Sequence, residues 1–106
     1  LSPNGGDENY LYKQSVGVGE AAIEVGWTLG PKVGENALIL NFGRDVTSDL
    51  QVWADMPDMG HGTAPVTITK KTERKFAITD IWLVMAGRWV ISVKTSSETQ
   101  TFEVTL

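Results

Sequence analysis

The residues best suited to bind a metal are concentrated in one short stretch of the sequence. The chain has three methionines and one histidine, and Met56, Met59 and His61 fall within six positions. Thioether sulfur with imidazole suits Cu(I), whereas imidazole with carboxylate or water suits Cu(II) or Zn(II). The stretch therefore predicts a metal site in which Cu(I) is favoured.

The third methionine, Met85, precedes Gly87-Arg88-Trp89 in a predicted turn, where an apolar side chain has no obvious core position. Met85 would complete the site if this turn lies at the same end of the domain as the Met56 stretch. Asp55 and Asp58 are candidates for an oxygen ligand or for accepting the N–H of a ligating imidazole. The predicted metal ligands are thus three thioethers and one imidazole.

The same residues have a structural interpretation. Met56 continues a row of alternate apolar residues that begins at Leu50, as expected of a core strand. Met59 then fills a gap as an adaptable apolar side chain, and His61 is a solvated loop residue. Both interpretations stay open on the sequence alone.

Catalysis is not expected. The chain has no cysteine, so general acid–base or nucleophilic chemistry would have to recruit His61. Asp55, Asp58 and Thr63 do not form a recognisable nucleophile, base and orienter arrangement around it. Gly17-Val18-Gly19 precedes a predicted strand instead of a helix N-terminus, which argues against a phosphate-binding loop. We predict that the protein is not an enzyme.

Composition indicates one folded domain that does not bind nucleic acid. Hydrophobic residues make up 42% of the 106-residue chain and charged residues 21%, the balance of an ordinary globular protein. The formal net charge is -4, whereas a nucleic-acid binder needs a basic stripe. The basic cluster Lys70 to Lys75 is predicted to be a charged turn between strands. No apolar run approaches the roughly 18 to 20 residues that span a bilayer.

Alternation of apolar and polar residues with period two predicts an all-β domain. The predicted strands are 21–29, 36–43, 50–56, 66–69, 76–83, 89–95 and 102–106, separated by turns rich in Gly, Pro, Ser and charged residues. About seven short strands with such turns favour an immunoglobulin-like antiparallel β-sandwich. A small open barrel is the alternative, because strand pairing cannot be deduced from one sequence.

Residues 1–19 are predicted to be a flexible N-terminal lead, with a short ordered piece at Tyr10-Leu11-Tyr12, and residues 20–106 the sandwich domain. Because the first residue is Leu1 and not Met, the sequence is compatible with a mature fragment whose targeting segment or membrane anchor was removed. The function is expected to lie in the sandwich domain.

The four tryptophans divide into two pairs. Trp27 and Trp89 alternate with aliphatic residues and are assigned to the core. Trp53 and Trp82 are interpreted as core or partly exposed sheet residues. The alternative places their rings beside a cuprous ion, shielding it through a cation–π contact.

The stretch Trp53-Ala54-Asp55-Met56-Pro57-Asp58-Met59-Gly60-His61-Gly62 and the later Val84-Met85-Ala86-Gly87-Arg88-Trp89 together resemble the paired signature of the YtkA-like family, which is related to FixH-type proteins. In that family a Met-Pro-x-Met-x-His loop recurs, and a Met-x-Gly-x-Trp turn follows the next hairpin. The resemblance covers roughly Ala22 to Leu106.

The resemblance implies an exported immunoglobulin-like domain, periplasmic or membrane-anchored, that handles copper or helps to assemble copper-containing respiratory oxidases. By motif match, Met56, Met59 and His61 take the loop positions and Met85 takes the turn position. Ala86 stands where the family often has Pro, which leaves the turn less rigid.

Two functions follow from these observations. The first is a copper carrier or metallochaperone that exchanges Cu(I) with a copper-donating or copper-accepting protein. The second is a non-catalytic structural or protein-interaction module with no physiological metal, in which the methionine loop is an apolar contact.

Overall fold

The computed structural model describes residues 10–17, 19–63 and 65–106, with the backbone alone described at Glu20 and His61. These residues form nine strands: β1 Tyr12–Val16, β2 Ile23–Leu29, β3 Gly34–Phe42, β4 Gln51–Met56, β5 His61–Gly62, β6 Thr67–Lys70, β7 Lys75–Leu83, β8 Arg88–Lys94 and β9 Thr99–Thr105. A short 3-10 turn, Gly19–Ala21, precedes β2. The described residues contain no helix long and apolar enough to cross a membrane.

The strands form two sheets whose pairings are all antiparallel. One sheet has the order β1-β2-β3-β7-β6 and the other β5-β4-β8-β9. The predicted all-β antiparallel sandwich is therefore confirmed. The described strands do not form the single open barrel that was the alternative.

The core lies between the inward faces of the two sheets. Alternate residues of β2 and β4 are buried, as period-two patterning predicts. Trp27 and Trp89 are both fully buried, which confirms their assignment to the core. Burial of these large apolar surfaces is the main source of stability for the sandwich.

A bulge in β7 changes which of its side chains face the core. The register with β3 shifts between Asn36 and Leu38, and Asp80 has a positive φ of 61°. Ile78 and Ile81 are consequently both buried, although strict alternation from Ile78 would turn Asp80 inward. The bulge also leaves Trp82 on the outward face.

Strand β1 lies within the stretch predicted to be a flexible lead. It pairs with β2 from Tyr12 opposite Trp27 to Val16 opposite Ile23. Gln14 links the two sheets, because its Oε1 accepts a hydrogen bond from Trp27 Nε1 at 2.9 Å and its Nε2 donates to the Glu103 carbonyl at 3.1 Å. Residues 1–9 of the predicted lead lie outside the described residues.

The two ends of the sandwich carry different connections. The methionine end consists of the β4–β5 turn, residues 57–60, and the β7–β8 turn, residues 84–87. The distal end consists of the connections at 43–50, 71–74 and 95–98. Both segments of the predicted metal motif therefore lie at the same end of the sandwich.

Candidate metal centre

The β4–β5 hairpin positions the first three candidate ligands. The amides of Met59 and Gly60 both donate to the Met56 carbonyl, at 3.0 and 2.8 Å, and Gly60 has a φ of +70°. Met56 and His61 are paired opposite each other across the hairpin. The sequence predicts a loop through residues 58–62, whereas His61–Gly62 is a short strand. The tight turn accounts for this difference, since it returns the chain to β4 at once.

Met56 extends under the β7–β8 turn. Its side chain is 3% exposed, and its Cε lies so close to Gly87 that a Cβ at that position would overlap it. Gly87 also has a φ of +134°, which favours glycine. The Met56 thioether group is thus in direct contact with the segment that carries Met85.

Three hydrogen bonds, one from Trp89 and two shared with Leu106, hold the β7–β8 turn. Trp89 Nε1 donates to the Met85 carbonyl at 3.0 Å. Gly87 and Leu106 exchange two backbone hydrogen bonds, of 3.2 and 2.9 Å. The Met85 side chain is half-buried and packs against the core. This corrects the expectation that Met85 has no core position, because the reversal of the chain directs it back toward the sandwich.

An ion-pair network joins the two turns of the methionine end. Arg88 Nε lies 3.3 Å from Asp58 Oδ2 and Arg88 Nη2 lies 3.3 Å from Asp58 Oδ1. Arg88 Nη1 lies 3.2 Å from Glu103 Oε2, on β9. The hydrogen bond and charge of Asp58, followed by the charge of Glu103, raise the pKa of Arg88 above its ordinary value. Both carboxylate oxygens of Asp58 are therefore already engaged by Arg88.

The candidate ligands differ in their accessibility. Met59 is 57% exposed at the tip of the β4–β5 turn, whereas Met56 is buried and Met85 half-buried. Asp55 is exposed beside Gly62, which is opposite it in the hairpin. The thioethers thus range from the core to the surface along one end of the molecule.

The exposed tryptophans are on the outer surfaces. Trp53 is on the outward face of β4 and is 36% exposed, and Trp82 is on the outward face of β7 and is 45% exposed. The two rings lie on opposite sheets. This placement favours their interpretation as partly exposed sheet residues over a joint shield for a metal ion.

The donor set fits a soft cation better than a hard one. Among the described residues, no group of three or more His, Cys, Asp or Glu side chains is placed to hold a metal ion. Met56 and Met85 instead lie on two segments that touch where Met56 meets Gly87. Met59 lies at the exposed tip of the β4–β5 turn. Thioether sulfur is a soft ligand with a preference for Cu(I), so the residues at this end are chemically suited to that ion.

The distal end contains a cleft of about 300 Å³. Phe42, Val46 and Val93 contribute apolar surface to it, and Arg44 and Glu98 lie at its rim. The Arg44 and Glu98 charges are 3.9 Å apart. This cleft is separate from the candidate metal ligands and includes no methionine.

Sequence reasoning identified the candidate ligands but missed two features that join them. The first is the Met56–Gly87 contact, and the second is the clamp between Asp58 and Arg88. A signal for the clamp was present, since the first motif segment contains the acidic residues Asp55 and Asp58 and the second contains the basic Arg88. Comparison with known proteins gives no match to a family model, a curated protein or a solved structure.

Proposed function

We propose that this chain is an exported copper carrier, similar to the YtkA-like and FixH-like proteins, that binds Cu(I) through Met56, Met59, His61 and Met85. It exchanges the ion with a copper-donating or copper-accepting protein at the periplasmic or outer face of a membrane. It has no catalytic role of its own.

The proximity of the two motif segments carries this proposal. Met56 Cε contacts Gly87, and Asp58 is paired with Arg88, so segments 30 residues apart in sequence meet at one end of the sandwich. Met85 lies two residues before Gly87. A set of ligands divided between two turns requires this proximity.

The gradient of exposure suits transfer of an ion. Met56 is buried and Met85 is half-buried, so both offer soft sulfur that is at least partly shielded from water, and soft sulfur suits Cu(I). Met59 offers a sulfur at the surface, where the donor atoms of a partner protein can reach it. Such a site can release its ion by exchange of ligands with the partner.

The immunoglobulin-like form of the sandwich belongs to the same proposal, and the strand order supports it. The order β2-β3-β7-β6 corresponds to A-B-E-D of that fold. The order β5-β4-β8-β9 corresponds to C′-C-F-G. Strand β1 then extends the first sheet beyond strand A.

The test is an anaerobic Cu(I) titration against a chromophoric chelator. The parent is expected to bind one ion per chain, and Met59→Leu and His61→Ala are expected to weaken binding by about tenfold or more. Met59→Leu removes the sulfur while keeping the apolar bulk. Ser48→Ala, at the distal cleft, is the control and should bind as the parent does.

Two results would contradict the copper-carrier function. One is failure of the parent to compete with the chelator. The other is a tight one-to-one affinity that persists when Met56, Met59, His61 and Met85 are each replaced. Either result would leave the domain without a copper site at the methionine end.

The second candidate is an interaction module with no physiological metal. It is favoured by the exposed apolar side chains Val33, Trp82 and Val84. Gly34 pairs with Leu83 and Glu35 with Trp82, so these side chains lie on neighbouring ends of β3 and β7. Exposed apolar groups of this kind often mark protein contacts.

Copper dependence distinguishes the two functions. Association of a carrier with its partner changes when Cu(I) is added, whereas association through an apolar surface does not. Trp82→Ser should abolish association in the second case and leave Cu(I) affinity unchanged. Association that requires copper would exclude the interaction module.

A further inference from the structure

We infer that Arg88 is a positioning residue of the proposed copper site, holding the β4–β5 turn against the β7–β8 turn through Asp58. This inference rests on the proposed function. It adds a residue that contacts no metal but determines where the candidate ligands lie.

The geometry is that of a two-pronged contact. Nε and Nη2 of Arg88 each lie 3.3 Å from a different oxygen of Asp58, the arrangement that gives guanidinium–carboxylate pairs their directional specificity. The third nitrogen, Nη1, lies 3.2 Å from Glu103 of β9. The guanidinium therefore contacts Glu103 on β9 with one edge and Asp58 in the β4–β5 turn with another.

The residues next to Asp58 and Arg88 explain why loss of this ion pair would disturb the candidate ligands. Asp58 directly precedes Met59, and Arg88 directly follows Gly87, which contacts Met56. The ion pair is thus a polar contact between the β4–β5 turn and the first residue of β8, which directly follows the β7–β8 turn. Its loss would leave the exposed tip, with Met59, held mainly by the two amide bonds to the Met56 carbonyl.

Charge and positioning make opposite predictions for Arg88. A cation near Cu(I) repels the ion, so removal of the Arg88 charge alone should tighten binding. Loss of the clamp should instead weaken binding, because the ligands become less well arranged. Asp58 does not separate these effects, since loss of its negative charge and loss of the clamp both weaken binding.

The experiment compares Cu(I) affinity of the parent, Arg88→Gln, Asp58→Asn and Glu103→Gln. We expect Arg88→Gln and Asp58→Asn to bind about tenfold more weakly, the lower end of the range for groups that orient metal ligands. Glu103→Gln is the matched control, since it removes one negative charge beside Arg88, while the glutamine oxygen can still accept the hydrogen bond from Nη1 and both bonds to Asp58 remain. It should stay within about twofold of the parent.

A charge-swapped double variant tests the pairing itself. Asp58→Arg combined with Arg88→Asp keeps the net charge and can re-form the ion pair in reverse. It is expected to recover part of the affinity that either single replacement loses. Arg88→Lys keeps the charge but cannot form two parallel bonds, so it should fall between the parent and Arg88→Gln.

A metal-free measurement gives an independent readout. Amide hydrogen exchange at Met59 and Gly60 should be faster in Arg88→Gln than in the parent and unchanged in Glu103→Gln. Thermal unfolding without copper shows whether each variant is folded.

The outcomes separate the inference from the function on which it rests. No Cu(I) binding by the parent overturns the proposed function, and the inference with it. Binding by the parent together with unchanged or tighter binding by folded Arg88→Gln overturns the inference alone.

Discussion

The two ends of the sandwich are built differently. At the methionine end, Met56 packs under Gly87, and Leu106 is bonded to that same glycine. At the distal end, Arg74 and Asp45 join two of the connections at 2.8 Å, but a cleft of about 300 Å³ opens beside them, and Arg44 and Glu98 at its rim lie 3.9 Å apart. Both ends have bonds between their connections, but the methionine end is closed over the buried Met56, whereas the distal end keeps an open cleft.

The difference shows that a well-formed cleft and the best candidate chemistry need not lie at the same end of the molecule. The distal cleft presents hydroxyl, carboxylate and guanidinium groups over apolar residues, a lining that a small organic molecule would need. A single ion needs donor atoms and little volume. The soft donors lie at the closed end, where the backbone of two tight turns can hold them.

Truncation of an apolar side chain at each end should give the largest difference. Met56→Ala is expected to lower the free energy of unfolding by about 2–5 kcal/mol, because the lost atoms leave a closed cavity. Val46→Ala, at the open cleft, should cost about 1–2 kcal/mol, since it loses mainly the transfer term. Urea unfolding of both variants provides the measurement. Equal losses would show that the methionine end is not the more tightly packed one.

A second pair of variants separates backbone strain from contact with Met56. Gly87→Ala and Gly34→Ala both place a side chain at a positive φ, of 134° and 115°, at a cost of about 1–3 kcal/mol each. A Cβ at Gly34 meets open space, while one at Gly87 meets Met56 Cε.

Gly87→Ala should therefore be the more destabilising variant of the two, and the one that displaces the Met56 thioether. A Cu(I) titration should show weaker binding for Gly87→Ala and parental binding for Gly34→Ala. Equal affinity in both would mean that the Met56 contact does not shape the site.

The smallest effect is expected at the rim of the distal cleft. Glu98→Gln removes a charge from an exposed pair, and such pairs contribute about 0–1 kcal/mol. The variant should unfold within about 0.5 kcal/mol of the parent, with unchanged Cu(I) affinity. Chemical denaturation of both proteins at low and high salt measures the difference in the free energy of unfolding. A clear loss of stability would show that this ion pair closes the distal end as Arg88 closes the other.

Much of the fold follows from the sequence pattern, because half-buried strands alternate apolar and polar residues. The buried rows of β2, β4, β8 and β9 reproduce the predicted alternation. The pattern fails at β1, an edge strand whose residues are mostly exposed. It also fails at Asp80, because a bulge depends on pairing with a neighbouring strand.

The site was only partly predictable for a related reason. The clustering of Met56, Met59 and His61 is visible in the sequence. That the Met85 turn lies at the same end can be deduced only once the strand pairing is known. Residue type cannot show that Met56 is buried while Met59, three residues on, is exposed. Nor can residue type show which of several carboxylates pairs with Arg88, since that depends on how strands far apart in the sequence are aligned with each other.

The bond between Gly87 and Leu106 has a practical consequence for experiments on this chain. Anything fused after Leu106 begins beside the β7–β8 turn, since the two residues exchange backbone hydrogen bonds. A polyhistidine purification tag there would bring additional imidazoles to the very end of the molecule whose metal affinity is to be measured. A purification tag without histidine or methionine, removed by a protease before the titration, ensures that the measured stoichiometry is that of the domain alone.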